Sequence, residues 1–207
     1  MTFSPPLSKF ILTSHITFSV GWLGAVVVFM VLAITGLNSS NNELVRASYL
    51  AMEVSAWFVI IPLCFSSLST GLIQALGTNW GLFKYYWVAV KLFLTVVGTI
   101  LLLLHMQPIS YLAGIATDGS FTTNLELGLR IDIIQKSALA VILLLTVTTI
   151  SVYKPWGKIQ STSSAIKDSQ PIKATPKSWN FYLLVGLIAL IIIFIVVHLL
   201  GGGMGRH

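Results

Sequence analysis

Hydrophobic residues in this chain run in long, nearly unbroken stretches instead of alternating or recurring on one face. Five such windows stand out: Phe10–Leu37, Ala47–Leu76, Lys84–Met106, Arg130–Tyr153 and Trp179–Leu200. A helix rises about 1.5 Å per residue, so about 20 apolar residues cross the hydrocarbon of a bilayer. Backbone groups in lipid must be satisfied internally, and a strand barrel would show alternating segments of about ten residues. The pattern therefore predicts an all-α, polytopic membrane protein: a bundle of five transmembrane helices making one domain over residues 1–207. Pro62 predicts a kink in the second span, and Pro155 a stop just past the fourth.

Composition agrees. Of the 207 residues 56% are hydrophobic and 9% charged, with mean hydropathy +0.90, against about 25% charged in ordinary soluble domains. The single Cys64 excludes a disulfide framework and a CxxC metal site. The net charge of +6 does not point to nucleic acid, because the basic residues cap spans and do not cluster on one soluble face. The opening "MTFSPPLSKF" is not followed by a short apolar core and a small-residue cleavage site, so the first run is read as a retained span.

Charge also sets orientation. The segment after the fourth span carries Lys154, Lys158, Lys167, Lys173 and Lys177, and Lys9 and Lys84 fall on the same side. The other side holds Arg46, Arg130, Lys136 and Arg206, interspersed with Glu43, Asp118, Glu126 and Asp132. The positive-inside rule then predicts a cytoplasmic amino terminus and an external carboxyl terminus. The lysines of that segment are spread among Ser and Thr, which suits a topology signal better than an anionic-lipid site.

Against this background the buried polar residues stand out. An ammonium at the bilayer centre costs roughly 2.5–3.5 kcal/mol, which makes Lys91, two turns into the third span, a candidate functional residue. Counting depth by helical rise, His15 falls in the same layer as Lys91. Trp22, Tyr85, Tyr86 and Trp87 are expected around that layer, with Gly21 and Gly24 giving the first span a flat face. His105 and His198 end their spans in the opposite layer, which Glu53, Gln135 and Lys136 enter. Lys136 has an ordinary partner in Asp132, four residues earlier on one helix face.

Plainer readings compete at each position. Lys91 can snorkel to the headgroups, and His15 can pack against a neighbouring helix through a backbone partner. The remaining histidines and the aromatics can sit in the interface. The functional reading rests on shared depth, since neutral imidazole ligates haem iron, copper and zinc, and bundles build cofactor sites from facing helices. Depth does not supply azimuth.

The stretches "HITFSVGWLGAVVVF" and "WVAVKLFLTVVGTILLLLH" resemble a pattern of first-helix His, Trp and Gly followed by a third-helix Trp-x-x-x-Lys-Leu that ends in His. The chain resembles the superfamily containing the copper-resistance D membrane domain and the HemJ-type protoporphyrinogen oxidases. It is most similar there to uncharacterised bacterial integral membrane proteins sharing "YLAMEVSAWFVIIPL", "GLFKYYWVAVKL" and "SVYKP". The resemblance covers roughly the first four spans. It implies a bacterial cytoplasmic membrane location and, by the HemJ-like branch, b-type haem held by His15, with Lys91 as ligand or propionate partner. The chain lacks that branch's arginine-bearing segment after the first Trp-Gly stretch, which argues against porphyrinogen oxidation.

A haem-binding, electron-transferring membrane protein is the leading expectation, with an electron donor or quinone as partner. His105 and His198 are candidates for a second haem, with Glu53 and Gln135 supporting them. The copper-resistance D branch implies copper movement, for which the tail residues His198, Met204 and His207 are suitable donors. A cofactor-free accessory protein is the third reading. No nucleophile with its base, phosphate loop, HExxH or deep carboxylate pair appears, and "GGGMG" follows a membrane span, not a strand. Ser66, Ser67, Ser69 and Thr70 are expected to bond helix to helix.

Overall fold

A computed structural model describes residues 3–77, 85–118 and 124–154. The described chain is helical: α1 (Pro5–Asn38), α2 (Asn42–Ser55), α3 (Ile61–Gly77), α4 (Tyr86–Leu104), α5 (Met106–Asp118) and α6 (Asn124–Tyr153). A π-helical turn, Ala56–Ile60, joins α2 to α3, and His105 alone separates α4 from α5. Four helical rods result, each long and apolar enough to cross a membrane. The fifth expected span, Trp179–Leu200, lies outside the described residues, as does most of the lysine-bearing segment.

The outer surface fits a lipid solvent. Phe10, Phe58, Leu76, Leu104 and Val152 are each more than half exposed, a display of apolar area that water would drive into aggregation. The interior divides in two. One core joins Trp22, Val26 and Phe29 of α1 to Tyr49 and Met52 of α2, Leu112 of α5 and Ile133 of α6. The other, at the end where α1 begins, joins Ala75, Trp87, Val88, Leu94, Leu143 and Ile150.

Local signals explain the breaks. Pro5 and Pro6 sit in the first turn of α1, where a missing N–H costs nothing. The Asn41 side chain caps α2 by accepting from the backbone N–H groups of Glu43 at 2.9 Å and Leu44 at 3.4 Å. Pro62 cannot donate to the Phe58 carbonyl and its ring collides with it. The chain answers with the wider π turn just upstream, in which the Ile61 N–H reaches back to the Ala56 carbonyl. At the far end α6 stops at Tyr153, and Lys154, the residue before Pro155, turns to a φ of 44°.

The third rod departs from the hydropathy pattern. The apolar run ends near Met106, yet helix continues through α5 to Asp118. His105 therefore lies at a break inside a rod and does not end it. Pro108 is the cause: it cannot donate to Leu104, four residues back, so the last turn of α4 tightens and the His105 N–H bonds Leu102 at 3.0 Å. The Leu101 carbonyl, left by that shift, accepts instead from the His105 imidazole Nδ1–H at 2.7 Å.

Candidate functional site

The inner candidate site is built where α1, α3 and α4 meet. His15 and Lys91, both expected at one depth, line a single cavity with Ser67, Gly71, Gln74, Trp87 and Thr95. Its core is about 80 Å³, within a cleft whose empty space reaches about 570 Å³ when the open mouth is counted. Lys91 thus contributes to the bundle interior and is not turned wholly to lipid.

The imidazole is held in one orientation. His15 Nδ1 lies 3.0 Å from the Ser67 carbonyl and 3.2 Å from Thr70 Oγ1. A carbonyl only accepts, so Nδ1 carries the proton and donates it, and Nε2 keeps the lone pair. The Ser67 carbonyl is in reach because the α1–α3 contact is close and polar, with Ser19 Oγ and Ser67 Oγ at 2.8 Å. The Thr70 hydroxyl donates to Ser66 and Ser67 carbonyls of its own helix. Ser67 and Thr70 therefore do bond across helices, as their residue types predict. The ring lies against Gly71, where an added Cβ would stand 2.9 Å from His15 Cε1.

Two ammonium groups lie near the Trp87 ring. Lys91 Nζ lies 5.9 Å from its ring centroid and Lys154 Nζ 5.8 Å. An aromatic face attracts a cation, and Lys154 comes from the end of α6, so the indole gathers positive charge from two helices. Their repulsion favours an anion nearby. Among the described residues no carboxylate makes an ion pair with Lys91.

A second cavity, of about 90 Å³ in a cleft of about 730 Å³, opens in the opposite layer. Trp22, Phe29, Gly98, His105, Lys136 and Ser137 are among its lining residues. Trp22 was expected around the His15 layer and is found here instead. It follows His15 by seven residues on a straight helix, or about 10 Å of depth. Glu53 is half-buried and Gln135 exposed, and neither lines this cavity. Lys136 lines it and pairs with Asp132 at 2.5 Å, as their spacing predicts. His198, Met204 and His207 lie outside the described residues.

Gly21 and Gly24 do not mark a close approach. A Cβ on Gly21 would make ordinary contact with Leu63, and one on Gly24 would meet nothing within 4 Å. The glycine that lies close against His15 is Gly71, which sequence reasoning passed over because its partner comes from another helix. Gln74 and Thr95, at helical intervals from Gly71 and Lys91, were also missed.

Among the described residues no group of three or more His, Cys, Asp or Glu side chains is placed to hold a metal, whereas a porphyrin supplies four ligands and asks the protein for one or two. A histidine whose other nitrogen donates to a carbonyl is the arrangement that orients and strengthens a metal ligand. Comparison with known proteins found no matching family model, no similar curated protein and no similar solved structure.

Proposed function

We propose that the chain binds b-type haem in the cavity shared by His15 and Lys91 and serves electron transfer in a bacterial cytoplasmic membrane. The observation that supports this reading most strongly is the fixed tautomer of His15 on a cavity that Lys91 also lines. His15, through its Nε2 lone pair, would hold the haem iron. Lys91, with Lys154 also near the Trp87 indole, would be the partner for an anionic propionate, and that charge would offset the burial of the ammonium. Gly71 leaves room for the imidazole plane, and Ser67 keeps it from turning. When bound, haem supplies the one-electron chemistry, while the protein sets ligation, orientation and burial.

The same reading includes membership of the copper-resistance D and HemJ-like superfamily, on the motifs around His15 and Lys91. It includes a fifth span at Trp179–Leu200, with the amino terminus cytoplasmic and the carboxyl terminus external. The excess of lysine after α6 supports that orientation.

Detergent-purified protein from haem-sufficient cells tests the proposal. A Soret band and reduced b-type peaks at one haem or more per chain are expected. Lys91→Ala should lower haem retention several-fold at unchanged helix content. Colourless protein, or haem retained equally in Lys91→Ala, would reject the reading.

A further inference from the structure

The cavity of the opposite layer carries a feature that the haem reading does not use. Trp22 is 5% exposed, and its indole Nε1–H, buried, has no hydrogen-bond partner among the described residues. A buried donor left without a partner costs about 1–3 kcal/mol. Around Trp22 the cavity wall is mostly hydrocarbon: Val26, Phe29, Ile60, Leu102 and Ile133. Gly98 and Ala140 keep it open. The polar exceptions are His105, Ser137 and Lys136, of which Lys136 carries an ammonium that spends one direction on Asp132 and has others to give. Ser137 adds little donor capacity, because its hydroxyl donates to the Ile134 carbonyl at 2.9 Å.

A ligand for this space must be largely apolar, because it reaches a cavity inside the span region and meets hydrocarbon walls. It must also bring hydrogen-bond acceptors, because the unspent polar groups are donors from two different helices, α1 and α6. A cation finds no welcome beside Lys136, and a fully charged anion pays too much desolvation among these walls. An uncharged flat ring bearing two carbonyl oxygens meets every condition. We infer that this cavity binds a membrane quinone, with one carbonyl accepting from Trp22 Nε1–H and the other from the Lys136 ammonium.

The inference concerns binding alone and does not rest on haem at the His15 site. His105, on the same wall, is engaged by the Leu101 carbonyl through Nδ1 and helps to close the space. Only the deeper placement of Trp22 makes the site visible: on the expected layer the same indole would have been an interfacial anchor.

The test reads the orphan donor directly. Full-length protein in detergent, labelled with ¹⁵N-tryptophan, gives six indole N–H resonances for its six tryptophans, and Trp22→Phe identifies one of them by deletion. Titration with decylubiquinone, a short-tailed benzoquinone, is expected to move the Trp22 resonance downfield and to saturate near one equivalent. Trp87, in the other cavity, should stay in place. Ala140→Phe, which fills the cavity and keeps both donor residues in the sequence, should weaken the response at least tenfold. A Trp22 resonance unmoved by excess quinone, all six moving together, or an undiminished response in Ala140→Phe would each overturn the inference. The haem spectrum is a separate readout, so a colourless protein that still shows the Trp22 shift rejects the haem reading alone.

Discussion

Gly71 lacks a side chain where His15 needs the space. An added methyl would stand 2.9 Å from the imidazole, and the ring is held through Nδ1 by the Ser67 carbonyl, one turn away from Gly71 on the same helix, so it cannot swing away without losing that bond. Gly71→Ala is therefore expected to lower haem content markedly while circular dichroism stays helical. Equal haem content would show that the ring position is immaterial. A second residue-scale lock is structural. Arg130 of α6 donates to Tyr49 Oη at 2.8 Å and to the Gly36 carbonyl at 2.5 Å, tying α1, α2 and α6 together. Gly36 allows this, since a Cβ there would meet the Tyr49 ring at 2.8 Å. Tyr49→Phe removes one acceptor from a half-buried cation and should cost about 1–3 kcal/mol in detergent unfolding measurements. At this scale the sequence revealed residue types and their depth. The Asp132–Lys136 pair was legible because both partners lie on one helix, whereas the His15–Gly71 contact joins two helices and has no spacing to read.

Prolines account for the main irregularities of the helices. Pro62 is accommodated by a π turn, while Pro108 breaks the third rod at His105 and hands the Leu101 carbonyl to an imidazole. Pro108→Ala restores a backbone donor for Leu104, and the helix is expected to run through the break. The His105 Nδ1–H bond would then be lost. Imidazole ¹⁵N shifts should report that change, with His15 unaffected. Unchanged His105 shifts would show that another constraint holds the break. The positions of the rods were legible in the apolar runs, and so were the effects of Pro62 and Pro155. The extension into α5 was not, because Met106–Asp118 mixes polar and apolar residues and reads as a loop on hydropathy. Its Met106, Ile109, Leu112 and Ala116 are buried against the bundle, so tertiary packing holds a helix that composition does not announce.

At the largest scale, the described residues place these two cavities at different depths of one bundle, each with a histidine and a lysine in its wall. The two layers were legible from helical rise. Which side chains share a wall was not, because azimuth depends on packing, and so Trp22 moved from the first layer to the second. The proposed topology has its own check. In a Cys64→Ser background, an impermeant maleimide applied to sealed, right-side-out vesicles should label Arg206→Cys at once, and Ser4→Cys only after permeabilisation. Labelling of both from one side would remove the fifth span, and labelling of Ser4→Cys at once with Arg206→Cys protected would reverse the orientation. The central claim, that His15 ligates haem in the first cavity, is tested most directly by chemical rescue. The account predicts that His15→Gly loses the reduced b-type spectrum of the wild-type protein and that free imidazole restores it. A His15→Gly protein that keeps the spectrum without imidazole, or a wild-type protein that never shows one, would contradict it.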